Sequence, residues 1–350
     1  MRFHWGEQGA RLQRQVERGD YRLSPMRLVG RKGRGEERLA QWSAQDALVL
    51  KWVALRIEGL LPTHARCAHL KGHGGGRESV RQAARALASG EFNFVYRTDI
   101  RGYYRHIRKE QLLSQIQSYV ADPVLHDLLR QYLYYSVEDG GEFHTPKQGI
   151  CRSCPLSPLF GASLLYHVDA HFSAQEGIFY SRYMDDFLLL TRTRWPLRRA
   201  VKKLHQFFNL GGFETHPDKT QLGRIEQGFD WLGVEFSDAE PCIAARALSN
   251  HHARRLRLYE QARRRGLSAA ATQARVQAYE ARWKIWADGL LSAADCASRS
   301  QKAPPKVGEI VDWSKNMRAS VVYPPAVAGS PIHDLDPVEF IEEPECVRIK

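Results

Sequence analysis

Three aspartates offer the most chemistry in this sequence. Residues 178–191 are apolar on both sides of a polar tip, Tyr183-Met184-Asp185-Asp186, which is the pattern of a β-hairpin. Asp99 closes an alternating, strand-like stretch that starts near Phe92. Taken singly, acids at a tight turn or at a strand end are ordinary. Two adjacent carboxylates crowded at one tip, however, cost free energy unless cations neutralise them. If the two segments, about 85 positions apart, meet at one sheet edge, three carboxylates converge there. A pair of Mg²⁺ ions about 4 Å apart needs such a donor set for in-line displacement at phosphorus.

The elements that must position these acids can be read coarsely. The first twenty residues form an amphipathic helix or a basic arm, and residues 27–39 a strand, a Gly-rich basic turn and a strand. Apolar spacing from Ser43 to Leu60 is helical, with Ser43 as N-cap and Asp46 completing a capping-box-like arrangement. Residues 69–77 are a mobile cationic loop leading into a helix through Leu87. Residues 109–135 are helical, 142–154 a hairpin or loop, and 157–172 a buried helix. A helix over 196–210 leads to strands near 220–222 and 229–236, and 246–300 is helical throughout. Past residue 300, repeated prolines break any helix.

Charge supplies a partner class. The 350 residues carry 51 Lys and Arg against 39 Asp and Glu, a net +12. The surplus clusters: residues 241–300 hold eleven bases against four acids, whereas 331–350 hold six acids against two bases. A clustered basic surface points to a polyanion. The acidic tail is read either as a solvated end or as a segment that folds back on the basic stretch 241–300. With 43 % hydrophobic and 26 % charged residues, wholesale disorder is excluded. No apolar run reaches membrane-spanning length and the start lacks a secretory apolar region, so the expectation is a cytoplasmic protein with no membrane partner. Six scattered cysteines fit reduced thiols, and Cys151/Cys154 have no second pair at zinc spacing.

With these residues in view, the chain from about 21 to about 290 resembles a reverse transcriptase of the bacterial, group II intron-like lineage. Tyr183-Met184-Asp185-Asp186 matches the family's Y-x-D-D (motif C), and Asp99-Ile100-Arg101-Gly102-Tyr103-Tyr104 is similar to its D-I-K-G-x-F (motif A). Pro155-Leu156-Ser157-Pro158-Leu159 resembles motif B. Gly212-Phe213 with Asp218-Lys219-Thr220 resembles motif D, and Trp231-Leu232-Gly233 the primer grip of motif E. The order and spacing agree as well.

The resemblance implies an α+β, right-hand polymerase fold. Residues 1–90 would be arm and fingers, and 91–240 a palm with an antiparallel sheet and a fingers segment inserted at about 105–150. Residues 241–300 would be a three-helix thumb, and 301–350 a Pro-rich acidic tail. Asp99, Asp185, Asp186 and the Ile100 backbone would hold two Mg²⁺ ions, with Mn²⁺ able to substitute. Lys219 would protonate or steady the pyrophosphate, or be simply an exposed lysine. Arg38, the Arg31/Lys32 pair, Arg101, Gly102 and Tyr103 would lie along the incoming dNTP. Tyr104 falls at the steric-gate position, or is a packed core ring. Arg77, Pro158, Tyr183, Trp231, Leu232, Gly233, Arg254 and Arg257 would contact template and primer. Trp283 and Trp286 are read as packing the bundle.

The chain also departs from the family pattern. The family places a Gln-Gly in motif B, with the Gln six residues before the Pro; here that position is Arg152, followed by Ser153, and Gln148-Gly149 lies ten back. Nucleotide selectivity is the property this touches. No endonuclease, RNase H-sized domain or retron pattern is recognisable, so the expectation is a compact stand-alone enzyme from a retroelement or an antiphage defence system. It would work on a cognate non-coding RNA, with an oligomer or accessory protein as further possible partners. Two activities stay open: an RNA-directed DNA polymerase, or a maturase-like RNA-binding scaffold with secondary or template-independent polymerisation.

Overall fold

A computed structural model describes residues 5–30, 38–152, 154–237 and 240–299. Arg31, Lys32, Ser153 and the tail from residue 300 on lie outside the described residues.

Helix α1 (Trp5–Glu17) precedes the paired strands β1 (Met26–Gly30) and β2 (Arg38–Gln41), followed by α2 (Ala44–Ile57) and α3 (Gly75–Ala88). Strand β3 (Phe94–Asp99) leads into α4 (Tyr103–His106), α5 (Lys109–Tyr119), α6 (Pro123–Leu133) and the small hairpin β4 (Val137–Asp139) and β5 (Glu142–His144). Then come α7 (Ser157–Leu164), α8 (Tyr166–Ser173), the hairpin β6 (Ile178–Tyr183) and β7 (Asp186–Thr191), and α9 (Arg194–Gly211). Short strands β8 (Gln221–Arg224), β9 (Phe229–Trp231), β10 (Val234–Phe236) and β11 (Cys242–Ile243) precede the long helices α10 (Ala245–Arg264) and α11 (Ala269–Arg299).

Among the described residues there are three sheets. The one that matters here runs β6-β7-β3-β8, all antiparallel. Its central strands β3 and β7 are buried on both faces, which is why β7 reads as a continuous apolar run (Asp-Phe-Leu-Leu-Leu-Thr). Side chains alternate across the sheet. Tyr96, Phe187 and Leu189 enter a large core shared with α9, while Val95, Leu188 and Leu190 enter a second core with α3, α11 and the β9–β10 hairpin.

Several elements refine the sequence reading. The capping box at Ser43 forms: its hydroxyl accepts from Asp46 N at 3.1 Å. The helical run 109–135 is two helices, because Asp122 accepts from Val124 N and Leu125 N and Pro123 starts a new first turn. The run 157–172 is likewise split, at Leu165. Residues 245–299 form two helices rather than three. Gly266, at φ +63, ends the first, and Ser268 caps the second by accepting from Ala271 N. No stop signal follows, and Gly289 stays helical within α11. Among the described residues no helix is long and apolar enough to cross a membrane.

Candidate active site

The register of the central sheet does what the sequence requires. Asp99, last in β3, lies directly opposite Asp186, first in β7. Asp185 sits in the two-residue turn between them and β6, and its carbonyl accepts from Ile100 N at 3.1 Å. Asp99, Ile100, Asp185 and Asp186 therefore share one sheet end. Lys219 joins them from the 3₁₀ turn before β8, its ammonium donating to Asp99 Oδ2. The Asp99 backbone carbonyl accepts from His216 N, which fixes that turn against the strand end.

Burial and mutual repulsion act on this cluster. Desolvation first, and the Asp99 charge second, push Asp185 up to about 6, against smaller opposing pulls from Lys219 and Arg152. The same two causes raise Asp186 to about 7, opposed chiefly by Arg97. Arg97 was not anticipated from the sequence. Its side chain is buried on β3, with Nη2 3.5 Å from Asp186 and Nη1 3.0 Å from Asp230 on β9. Nη1 also donates to the Lys219 carbonyl at 3.3 Å. One guanidinium thus braces the acidic hairpin, the lysine turn and β9. A period-two count from Asp99 places residue 97 on the same strand face, but only the fold supplies its partners.

The turn itself is held from several sides. Met184 adopts φ +55, costly for a residue with a Cβ. Its N–H donates to His69 Nδ1 at 3.0 Å, which leaves His69 Nε2 to donate to the Pro158 carbonyl at 3.0 Å. Burial lowers His69 to about 4, so the ring stays neutral in that bridge. The Met184 carbonyl accepts from Arg182 at 2.8 Å. Arg182 is fully buried on Asp169 and also reaches the carbonyls of Gly161 and Ala162. His69, Arg182 and Asp169 form a positioning shell that sequence spacing did not single out.

Around the acids, the amides of Ile100 and Arg101 are committed to Asp185 O and Glu214 O. Of the 100–103 stretch, the N–H groups at the start of α4 are therefore the ones with no intrahelical acceptor. Arg101 and Gly102 are exposed there, and Gly102, at φ +60, caps the helix. Tyr103 is buried, its hydroxyl donating to Gly161 O at 2.9 Å. Tyr104 is nearly buried against Gly161, and burial raises its hydroxyl above the usual range. Arg152 is exposed, and its charge lowers both Asp185 and Tyr104, which brings it to this site. Gly149, passed over in the motif count, packs on the same segment. It has φ +86, a Cβ there would lie 2.7 Å from Arg105 O, and Ile150 N donates to Tyr104 O.

The remaining expected residues divide. Tyr183 and Leu232 both pack over Gly76 of α3, each 3.8 Å from a Cβ placed there. Trp231 is fully buried, with its indole donating to Ser79 Oγ at 2.9 Å. It supports the turn, and only Leu232 and Gly233 reach the surface. Arg77 reaches α11, donating to Ile285 O. Arg254, half-buried, and Arg257, exposed, lie on α10. Arg38 opens β2 opposite Gly30, in a different sheet. Trp283 stacks on His251 at 4.0 Å, and Trp286 lies over Gly233.

Comparisons with known proteins bear on this geometry. Residues 67–236 match the family described as Reverse transcriptase (RNA-dependent DNA polymerase). No curated protein matches the chain. Similar solved structures include telomerase from Candida albicans in complex with a TWJ fragment of telomeric RNA, at 14 % identity and a TM-score of 0.45, covering 57 % of this chain and 38 % of that one. They also include apo telomerase from Candida tropicalis truncated from the C-terminal domain, at 12 % identity and a TM-score of 0.45, covering 64 % and 56 %. This chain thus spans about half or less of those telomerase chains. The family match encloses Asp99, Asp185, Asp186 and Lys219, and with it the mixed helix-and-sheet architecture is a right-hand polymerase fold. Residues 67–236 of this chain are therefore similar to the reverse transcriptases, described as RNA-dependent DNA polymerases.

Proposed function

We propose that the enzyme extends a primer on an RNA template with dNTPs, using Asp99, Asp185, Asp186 and the Ile100 carbonyl to hold two divalent ions. The observation that carries this reading is the pairing of Asp99 with Asp186, with Asp185 in the adjoining turn. The desolvated, mutually repelling carboxylates are a donor set that dications relieve. Among the described residues no cage of three or more His, Cys, Asp or Glu is preassembled. Mg²⁺ takes one or two carboxylates and completes its shell with water and substrate phosphates. When bound, the ion pair supplies Lewis acidity at the primer hydroxyl and neutralises charge on the leaving pyrophosphate.

The chain's own groups do the rest. Arg97 fixes Asp186, and the Arg182–Asp169 pair with His69 fixes the Met184 turn. The open N–H groups at the start of α4 lie along the triphosphate. Lys219, already within reach of Asp99, delivers a proton or a positive charge to the pyrophosphate. The Tyr104 ring, packed on Gly161, sets the floor under the sugar and favours deoxynucleotides. Arg152 adds a cation where the resemblance has an amide, a change in how the triphosphate or base edge is held. In this reading the palm runs from β3 to β10, α2, α3 and the α5–β5 segment serve as fingers, and α10–α11 as the thumb. We place the enzyme in the cytoplasm, working on a cognate non-coding RNA in a defence system or retroelement.

The test is primer extension on an RNA template with Mg²⁺ and dNTPs. Asp185→Asn should abolish extension while the protein keeps its melting temperature. Extension by Asp185→Asn at the wild-type rate would remove polymerisation from this site and leave the RNA-binding scaffold.

A further inference from the structure

The central sheet carries a second cationic surface, on the side away from α11. Helix α9 buries Leu197, Ala200, Leu204 and Phe208 in the core that also holds Tyr96, Phe187 and Leu189, whereas α3 and α11 cover the opposite face. What α9 turns outward has one sign: residues 187–213 contain six Lys or Arg and no acid. Arg194, Arg198 and Lys202 are all exposed and recur every fourth residue, so they form a single row spaced about 6 Å along the helix axis. Beside them Trp195 stands 68 % exposed, with the Arg198 guanidinium 5.3 Å over its ring. Behind the row a cleft opens between α9 and β8, lined by Arg198, Val201, Lys202, His205 and Leu222.

We propose that this outer face of α9 binds a single-stranded segment of RNA, separately from the template and primer in the catalytic cleft. A solvent-facing indole beside a row of cations is the combination single-stranded nucleic acid uses, with a base stacked on the ring and phosphates on the basic side chains. Charge complementarity supports a polyanion, and the start of α9 lies one six-residue strand, about 20 Å, from Asp186. A membrane fits poorly, because an interfacial helix inserts its apolar face and that of α9 is already spent on the sheet. The choice of RNA over DNA rests on the proposed RNA-directed activity, while the binding itself does not require catalysis.

The experiment uses the full chain with its cleft filled by an RNA–DNA hybrid ending in a dideoxynucleotide. A fluorescein-labelled oligouridylate of roughly a dozen nucleotides is then titrated by anisotropy. Replacing Arg194, Arg198 and Lys202 together by Gln should weaken its binding by about tenfold or more, and flatten the slope of log affinity against log salt by about 2–3. Trp195→Ala should weaken binding by about tenfold with the slope unchanged. Both variants should extend a primer with wild-type kcat/KM, and Asp185→Asn should bind the oligouridylate normally. Unchanged binding in both variants overturns the proposal. So does a parallel loss of primer extension, which would make the surface part of the cleft. Tighter binding of the matching deoxy oligonucleotide overturns the RNA assignment. Loss of affinity for phosphatidylserine vesicles with RNA binding intact would assign the face to a membrane instead.

Discussion

Two tight turns sit side by side over α3, and they solve one backbone problem by opposite means. Met184, between β6 and β7, and Leu232, between β9 and β10, are the two described non-glycine residues at positive φ, +55 and +49. The Leu232 turn is held mainly by shape: Trp231 is fully buried and the Trp286 ring lies against Gly233, with Ala244 N donating to the Gly233 carbonyl and the Trp231 indole to Ser79 Oγ. The Met184 turn is held by polar groups: His69 takes its N–H, Arg182 its carbonyl, and Ile100 N the next carbonyl. Apolar packing holds a turn cheaply, but it would desolvate the carboxylates at its tip still further. Hydrogen bonds hold the tip while leaving Asp185 and Asp186 half open to ligands.

The sharpest way to break this contrast is Arg182→Met. It leaves Asp169, fully buried and also bonded to the Tyr180 hydroxyl, without its cation, and should cost about 3–5 kcal/mol in urea unfolding. The double variant Arg182→Met with Asp169→Leu should recover most of that stability. Extension should stay impaired, since the Met184 carbonyl still lacks its donor. Recovery of both would mean that the pair serves folding alone. On the other turn, Gly233→Ala puts a Cβ 2.9 Å from Trp286 at φ +91. A loss of about 1–3 kcal/mol is expected there, and calorimetry that finds none would show this turn to be loosely packed.

A smaller effect follows from pH. Asp185 and Asp186 are raised to about 6 and about 7. Their contribution to stability is therefore complete below the ordinary carboxylate range near pH 4 and is lost as pH rises through 6 to 7. For metal-free protein, melting followed from pH 5 to pH 8 should show a loss on the order of 1–2 kcal/mol that Asp186→Asn reduces and Mg²⁺ reverses. His69, lowered to about 4, acts in the opposite direction below pH 6.5, so the informative quantity is the difference between wild type and variant. A wild-type profile that matches that of Asp186→Asn would mean that Asp186 is neither crowded nor desolvated.

The difference between the turns also marks how far the sequence could be read. The acids are legible because a two-residue period and a few adjacent charges identify them locally, and Lys219 because its segment resembles motif D. The burial of Trp231 and Tyr103 was not, since an aromatic beside a site looks alike whether it faces a ligand or the core. Arg97, Arg182, Asp169 and His69 were missed for a related reason. Apart from the Arg182 bond to the Met184 carbonyl two positions on, the partners that give them their roles lie 13 to 133 positions away in the chain, and a lone buried charge leaves no periodic mark. The segments 109–135 and 246–300 were read as helical, and the breaks within them turned on Asp122-Pro123 and Gly266-Ser268.

The last and smallest effect concerns Gly76, where the two turns meet. A Cβ there would lie 3.8 Å from both Tyr183 and Leu232, which is ordinary contact, and the residue is helical within α3. Gly76→Ala should therefore stabilise the protein by about 0.5–1 kcal/mol, through reduced freedom of the unfolded chain and better helix propensity. Primer extension should be unchanged if the space between the turns is only a packing seam. A variant that melts higher yet extends a primer more slowly would show that the methyl stands where a strand of nucleic acid must pass. The apolar turn would then belong to the path of the substrate as much as the acidic one does.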